Sequence, residues 1–361
     1  MQKNVSRQIA LFSACVLPVY KWLELPSLLA RKTGGDLLLP ALFQFLLQFG
    51  VLLLVLYAVK NGEGSLYSRL QNKLGKWTKA LAVLLGAVYI LYAVLPILDL
   101  EKFTYAVFYD TAPTAFSFGF FFLVLAFIGC QPLSAVGRFG DIALFLTPFS
   151  FFVLLVMSFP ASNLSALLPV AQTSPRTLFF AVRNSAMPFA DVLFLLPLLL
   201  HLEYKKGDAT KISIGYGIGA VATLLFLAFF YGVYSSSAGR EHYAFSKIAQ
   251  YFPALSVVGR IDLLFVYLLC VALFFYACVP LLYTVRCVKQ VYTKGSSALI
   301  SGVLAFAFFI FTLFCNKYYD SIYAFFSYPL APVFFLFSIL LPLCLLFLTG
   351  GKRRENHTPK K

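Results

Sequence analysis

Residues 184–191 read Asn184-Ser185-Ala186-Met187-Pro188-Phe189-Ala190-Asp191, midway through an apolar run over 177–202 that also holds Pro197. Residues 17–26 read Leu17-Pro18-Val19-Tyr20-Lys21-Trp22-Leu23-Glu24-Leu25-Pro26, inside an apolar run over 6–30. Each stretch puts a proline and a charge near the middle of a segment long enough to cross a bilayer. Proline removes a donor and clashes with the turn before it. In hydrocarbon an unpaired backbone group is costly, so such breaks persist where they line a cavity or are covered by protein. Interrupted helices in corresponding positions of two halves point to an inverted-repeat transporter with a midplane site. Pro96, Pro148, Pro280 and Pro342 fall in other apolar runs, so simple kinks are the alternative reading.

The rest of the chain has the same solvent. Of 361 residues 61% are hydrophobic, 41 of them Phe, and only 12% are charged, with a mean hydropathy of +0.85. Soluble domains carry about 25% charged residues, so this composition excludes a soluble core, a disordered chain and, despite the formal +15, a nucleic-acid binder. Ten apolar runs are legible, near 6–30, 36–59, 80–98, 113–130, 141–160, 177–202, 211–234, 261–286, 297–315 and 327–349. They predict ten transmembrane helices in two sets of five running in opposite directions. With the N-terminus inside, nineteen of the 29 Lys and Arg lie in inner connectors, nine in outer ones, and Lys21 lies in a span. That bias favours both termini in the cytoplasm. The apolar run at the start continues past Cys15, which predicts a retained span and not a cleaved signal. The seven cysteines form no CxxC pair and read as small apolar packers.

Charges at bilayer depth are usually partnered and functional. Lys21 and Glu24 are three apart, on one face if that stretch is helical. A structural ion pair, outward snorkelling, and a role in ligand binding or proton coupling all remain open for them. Asp191 follows Pro188 by about a turn and is a candidate to accept a ligand ammonium or carry a proton; a hydrogen-bonded packing role is the alternative. Tyr89 and Tyr92 on the third run, and Tyr267 and Tyr276 on the eighth, are candidate cavity linings, although interfacial belts explain most membrane tyrosines. Gly215, Gly217 and Gly219 give a small-residue stripe suited to close helix packing. His201, His242 and His357 are isolated, and no catalytic or metal-ligand spacing is present, so neither an enzyme, a metal nor a cofactor is expected.

Four short motifs add a family resemblance. They are Val5-Ser6-Arg7-Gln8 with Leu25-Pro26-Ser27-Leu28-Leu29-Ala30 and Gly34-Gly35-Asp36; Gly137-Arg138-Phe139-Gly140-Asp141; Asn163-Leu164 to Leu167-Leu168-Pro169-Val170; and Phe252-Pro253 with Gly259-Arg260-Ile261-Asp262. In this order, over roughly residues 4–290, the chain resembles the spore germination permease family, the B subunits of germinant receptors in the amino acid–polyamine–organocation superfamily. The resemblance implies an all-α, LeuT-like fold with inverted repeats over about 5–160 and 177–349, broken helices one and six, and a basic cytoplasmic tail over 350–361. It implies a small, amino-acid-like ligand between those two helices, walled by helices three and eight. It also implies partner A and C subunits in a bacterial cell or spore inner membrane. Val19, Tyr20, Tyr89, Ser185 and Ala186 then fall near the pocket, and Lys21, Glu24 and Asp191 are the coupling candidates. Two departures stand out. Val19-Tyr20-Lys21 occupies the first break, where relatives tend to carry a small residue, and Asp191 stands where they tend to carry Glu. Lys21 is then a candidate to replace a coupling cation or to bridge the cavity. The expected function is a permease-type germinant-receptor subunit. The alternatives are a proton-coupled amino acid transporter with true flux, and a membrane-embedded enzyme or scaffold.

Overall fold

The computed structural model describes residues 5–61, 64–108, 114–250 and 262–349, which are helical with short connectors and, among the described residues, no strand. The motif residues Phe252-Pro253 and Gly259-Arg260-Ile261 and the basic tail 350–361 lie outside the described residues. The first run forms α1 (Val5–Cys15) and α2 (Leu17–Thr33); a 3-10 turn over Gly34–Leu37 leads into α3 (Leu38–Lys60). An amphipathic helix, α4 (Leu66–Leu74), is N-capped by Ser65, whose Oγ accepts from Ser68 N at 3.2 Å. Then come α5 (Trp77–Phe108), α6 (Thr114–Gly129) and α7 (Ser134–Ser158). The sixth run is α8 (Pro175–Asn184) and α9 (Asp191–Leu200), followed by α10 (Asp208–Tyr234) and the short α11 (Ala244–Ala249). The chain continues through α12 (Asp262–Val291), α13 (Ser297–Cys315), α14 (Tyr319–Phe325), one π turn (Phe326–Leu330) and α15 (Ala331–Thr349).

Among the described residues, seven helical segments are long and apolar enough to cross a membrane, and eight if the bent pair α8–α9 is one span. One of the seven, Val5–Lys60, is 56 residues long. At about 1.5 Å per residue that exceeds twice the roughly 30 Å hydrocarbon thickness. The turn at Gly34, whose φ of +54° suits a residue without Cβ, divides it into two passes. Phe118–Gly129 is an apolar helix below the length threshold. With the bent pair, this division and the shorter helix all counted as passes, the number would be the expected ten.

The two breaks are unequal. Between α8 and α9 the axis turns by 73°. Between α1 and α2 the interruption is Val16 alone, whose N–H still reaches Phe12 O at 2.9 Å. The sequence places this first break at Val19-Tyr20-Lys21; it falls three residues earlier, and Lys21 sits inside α2. The cause is Pro18 in the first turn of α2, a position where its missing N–H and fixed φ suit a helix start.

Glycines set how α1 is seated. It lies between α7 and α10. A Cβ on Gly140 of α7 would stand 2.7 Å from Phe12 N, and on Gly215 and Gly219 of α10 it would stand 2.4 Å from Ala10 O and 2.5 Å from Ser13 O. Backbone meets backbone on both flanks of this half-helix. At the other end of the bundle, Asp36 accepts from Ala171 N at 2.6 Å and Thr173 N at 2.7 Å, tying the α7–α8 connector to the turn after α2.

Candidate functional site

The break in the sixth run leaves backbone groups without helical partners, and other helices supply them. Ser174 and Pro175 start α8 in the usual way, the Ser174 Oγ accepting from Thr177 N at 3.3 Å. At the far end, Gln44 of α3 donates through Nε2 to Val182 O at 2.8 Å and to Ser185 Oγ at 2.7 Å. One turn along the same face, Gln48 Oε1 accepts from Val192 N in the first turn of α9, at 3.2 Å, and its Nε2 donates to Ser338 Oγ at 2.8 Å. Pro197 cannot donate to the carbonyl four residues back, Leu193, and Tyr89 Oη donates to that oxygen at 3.0 Å instead. Tyr92 Oη reaches Met187 O at 3.4 Å. The bend is therefore held by side chains of α3 and α5.

At this bend a charge pair is fully buried. Lys21 Nζ lies 2.5 Å from Asp191 Oδ1, and both side chains are at most 2% exposed. The second carboxylate oxygen accepts from Tyr216 Oη on α10 at 2.8 Å. The ammonium also faces the rings of Phe45 and Phe189, at 5.8 and 5.5 Å from their centroids. Two opposite charges in this setting attract strongly, but each has lost its hydration, so the pair is stable only while both members are present.

Beside the pair stands an aromatic column. Tyr20 stacks on Tyr276 of α12 at 4.8 Å, and Tyr276 stacks on Phe194 of α9 at 4.6 Å. The Tyr276 and Tyr92 hydroxyls are 2.7 Å apart. Asp99 of α5 accepts from Tyr20 Oη at 2.9 Å and from Tyr319 Oη at 2.8 Å. Aromatic rings, the Lys21 ammonium and the Asp191 and Asp99 carboxylates are thus gathered beside the α8–α9 bend.

The structure places the sequence candidates as follows. Val19, Tyr20, Lys21, Tyr89, Ser185, Ala186 and Asp191 are all buried around the α8–α9 bend. Glu24 does not join Lys21. It turns to the connector before α11, accepting from Tyr243 N at 3.3 Å and standing 3.4 Å from His242 Nδ1. That carboxylate raises the His242 pKa, chiefly through the hydrogen bond. Tyr267 is a correction: it is 58% exposed, with its ring edge to Phe108, and points away from the bend. Its neighbour on the list of span-eight tyrosines, Tyr276, takes the inward place. Nine residues separate the two, which is two and a half turns and so opposite faces of α12. Gln44, Gln48, Asp99 and Tyr216 escaped the sequence reading. Two Gln at i and i+4 in an otherwise apolar run was the available signal for the first pair. Asp99 was hidden because the third run was ended at residue 98, whereas α5 continues to Phe108.

A bundle of long apolar helices, one of them broken at a buried ion pair, is the architecture of a multi-pass membrane protein. The solved structure of MhsT in complex with L-phenylalanine has the same LeuT-like fold: TM-score 0.63, 13% identity, covering 96% of this chain and 95% of that one. No curated protein matches the sequence. The model of a family described as "Spore germination protein" matches residues 22–321, more than four-fifths of the chain, and the protein belongs to that family.

Proposed function

We propose that this protein is the permease-type subunit of a germinant receptor and binds a free amino acid by inserting it between Lys21 and Asp191. The observation that carries the reading is the buried pair at the α8–α9 bend. An α-amino acid carries the complementary charges one carbon apart. Its carboxylate would replace Asp191 at the Lys21 ammonium, and its ammonium would replace Lys21 at Asp191. Each buried charge then keeps a partner throughout. Phe45, Phe189, Tyr20 and Tyr276 stand beside the pair, which favours an apolar or aromatic side chain; the bound L-phenylalanine of MhsT agrees with that choice.

Reception is favoured over flux by the seating of α1. Alternating access by rocking needs one element to move against another, whereas α1 is held backbone to backbone by Gly140, Gly215 and Gly219. Signalling needs only the smaller change at the α8–α9 bend, passed to A and C subunits in the spore inner membrane. The test is a thermal-shift screen of purified full-length protein with L-phenylalanine and other amino acids. Ligand should raise the melting temperature of wild type. It should leave the Lys21→Met/Asp191→Asn double variant, which carries no unpaired charge, unshifted. An equal shift in both would remove the pair from the binding site.

A further inference from the structure

A second opening lies away from the ion pair, at the end of the bundle that carries α4. It is a cavity of about 280 Å³ between α4, the end of α9, the start of α5 and the last turns of α12. Its wall is mainly apolar, with Leu85 and Cys287 among its members, and includes Tyr67 stacked on His201 at 4.8 Å. Two features separate it from a packing fault. First, Arg286 and Lys289 line it and no Asp or Glu does. Arg286 gives one hydrogen bond, to Gln131 O at 2.6 Å, and among the described residues no carboxylate pairs with it; Lys289 Nζ donates to Ser297 Oγ at 2.8 Å. Second, two further lining residues, Thr78 and Tyr283, are 9% and 1% exposed and their hydroxyls have no hydrogen-bond partner. A buried hydroxyl without a partner is unusual in a folded protein and suits a place where a polar ligand group would supply one.

We propose that this cavity is a second binding site, for a small amphipathic anion whose carboxylate or phosphate meets Arg286 and whose apolar body lies along Leu85 and Cys287. Arg presents a planar fork of donors that fits both kinds of oxyanion. An apolar wall with a few placed polar groups is the usual make-up of a ligand site, and the volume is near the lower end of the usual range. Tyr89 belongs to both places: it lines this cavity, and its hydroxyl holds Leu193 O at the bend. An occupant here would therefore press on the support of α9.

The anion has two sources, a water-soluble carboxylate or an anionic lipid headgroup, and one experiment separates them. The melting temperature of the full-length protein is measured in neutral detergent with 3-phenylpropionate, and in phosphatidylcholine nanodiscs with and without phosphatidylglycerol. Wild type should gain a few degrees, on the order expected for saturating ligand. Arg286→Gln, which keeps a donor for Gln131 O, should lose the gain, as should Leu85→Trp, which fills the cavity. Lys21→Met/Asp191→Asn should keep it. A response to phenylpropionate assigns a soluble ligand; a response confined to phosphatidylglycerol assigns a lipid. No response to either probe overturns the proposal. So does a response that survives both cavity variants. A gain lost in the double variant but kept in Arg286→Gln puts the carboxylate at Lys21 and overturns it too, while leaving the central reading standing.

Discussion

At the scale of single residues, one pair of opposite charges is buried together. Lys21 and Asp191 come from runs 170 residues apart and meet at 2.5 Å. Removing one member leaves the other buried and unpaired, a change that typically costs about 3–5 kcal/mol. Lys21→Met should therefore lower stability by about that amount, and so should Asp191→Asn to a smaller degree, since the amide keeps an acceptor for Tyr216. Lys21→Met/Asp191→Asn should recover most of the loss, because no charge is then left without a partner. Denaturation melts of the three variants give the coupling directly; additive losses would mean that the two groups do not stabilise each other. The sequence marked both residues as charges at depth, yet the only partner it offered Lys21 was Glu24, through helical spacing, as one of several open readings. Spacing along one helix says which side chains share a face. It says nothing about a partner arriving from the other half of the chain, and here Asp191 had the stronger claim because it is buried while Glu24 reaches the connector.

At the scale of elements, the unequal breaks have a common cause: where each proline sits relative to the groups that can replace its missing hydrogen bond. Pro18 begins a helix and disturbs one residue. Pro188 sits in a segment of 3-10 turn, and the bend around it is open by 73° because Gln44 and Gln48 from α3 and Tyr89 and Tyr92 from α5 take over the backbone's bonds. The glycine stripe of α10 is the second element-scale device, and its members are not equivalent. Gly215 faces α1, with Ala10 O 2.4 Å from the place its Cβ would occupy, while Gly217 has nothing within 4 Å. Gly217→Ala should be neutral or stabilising by up to about 1 kcal/mol, since Ala is the better helix former. Gly215→Ala should destabilise by about 1–3 kcal/mol through overpacking against a backbone that cannot move aside. The two variants differ by the same single methyl group, so opposite signs in a thermal melt isolate the helix contact from intrinsic propensity. Equal effects would mean that α1 is not held against Gly215.

At the scale of the molecule, what was legible was governed by the solvent. Hydrocarbon demands long apolar runs, so the helices lie close to the runs read from sequence: 297–315 became Ser297–Cys315, and 211–234 became Asp208–Tyr234. Asp99 shows where that reading stops, for a polar residue inside the bundle looks like the end of a span when only hydropathy is counted. The facing of Tyr267 against Tyr276 was equally hidden, since a nearly all-apolar helix has no polar stripe to orient it. The charge bias, in contrast, speaks about which end of the bundle faces the cytoplasm. Lys60, Arg69, Lys73, Lys76 and Lys79 crowd the connector around α4, and Lys205, Lys206 and Lys211 crowd the one before α10. The positive-inside bias predicts both of these in the cytoplasm, and with an even number of passes both termini as well. It also puts the Arg286 cavity on the cytoplasmic side and the Glu24–His242 contact outside. In a background without the seven native cysteines, Asn72→Cys should then react with a membrane-impermeant maleimide only after the cells are opened. Ser236→Cys, on the exposed turn after α10, should react in intact cells. Labelling of both from the same side would require an even number of crossings between them; five are expected from α5 to α10, so only opposite labelling is compatible with two inverted halves.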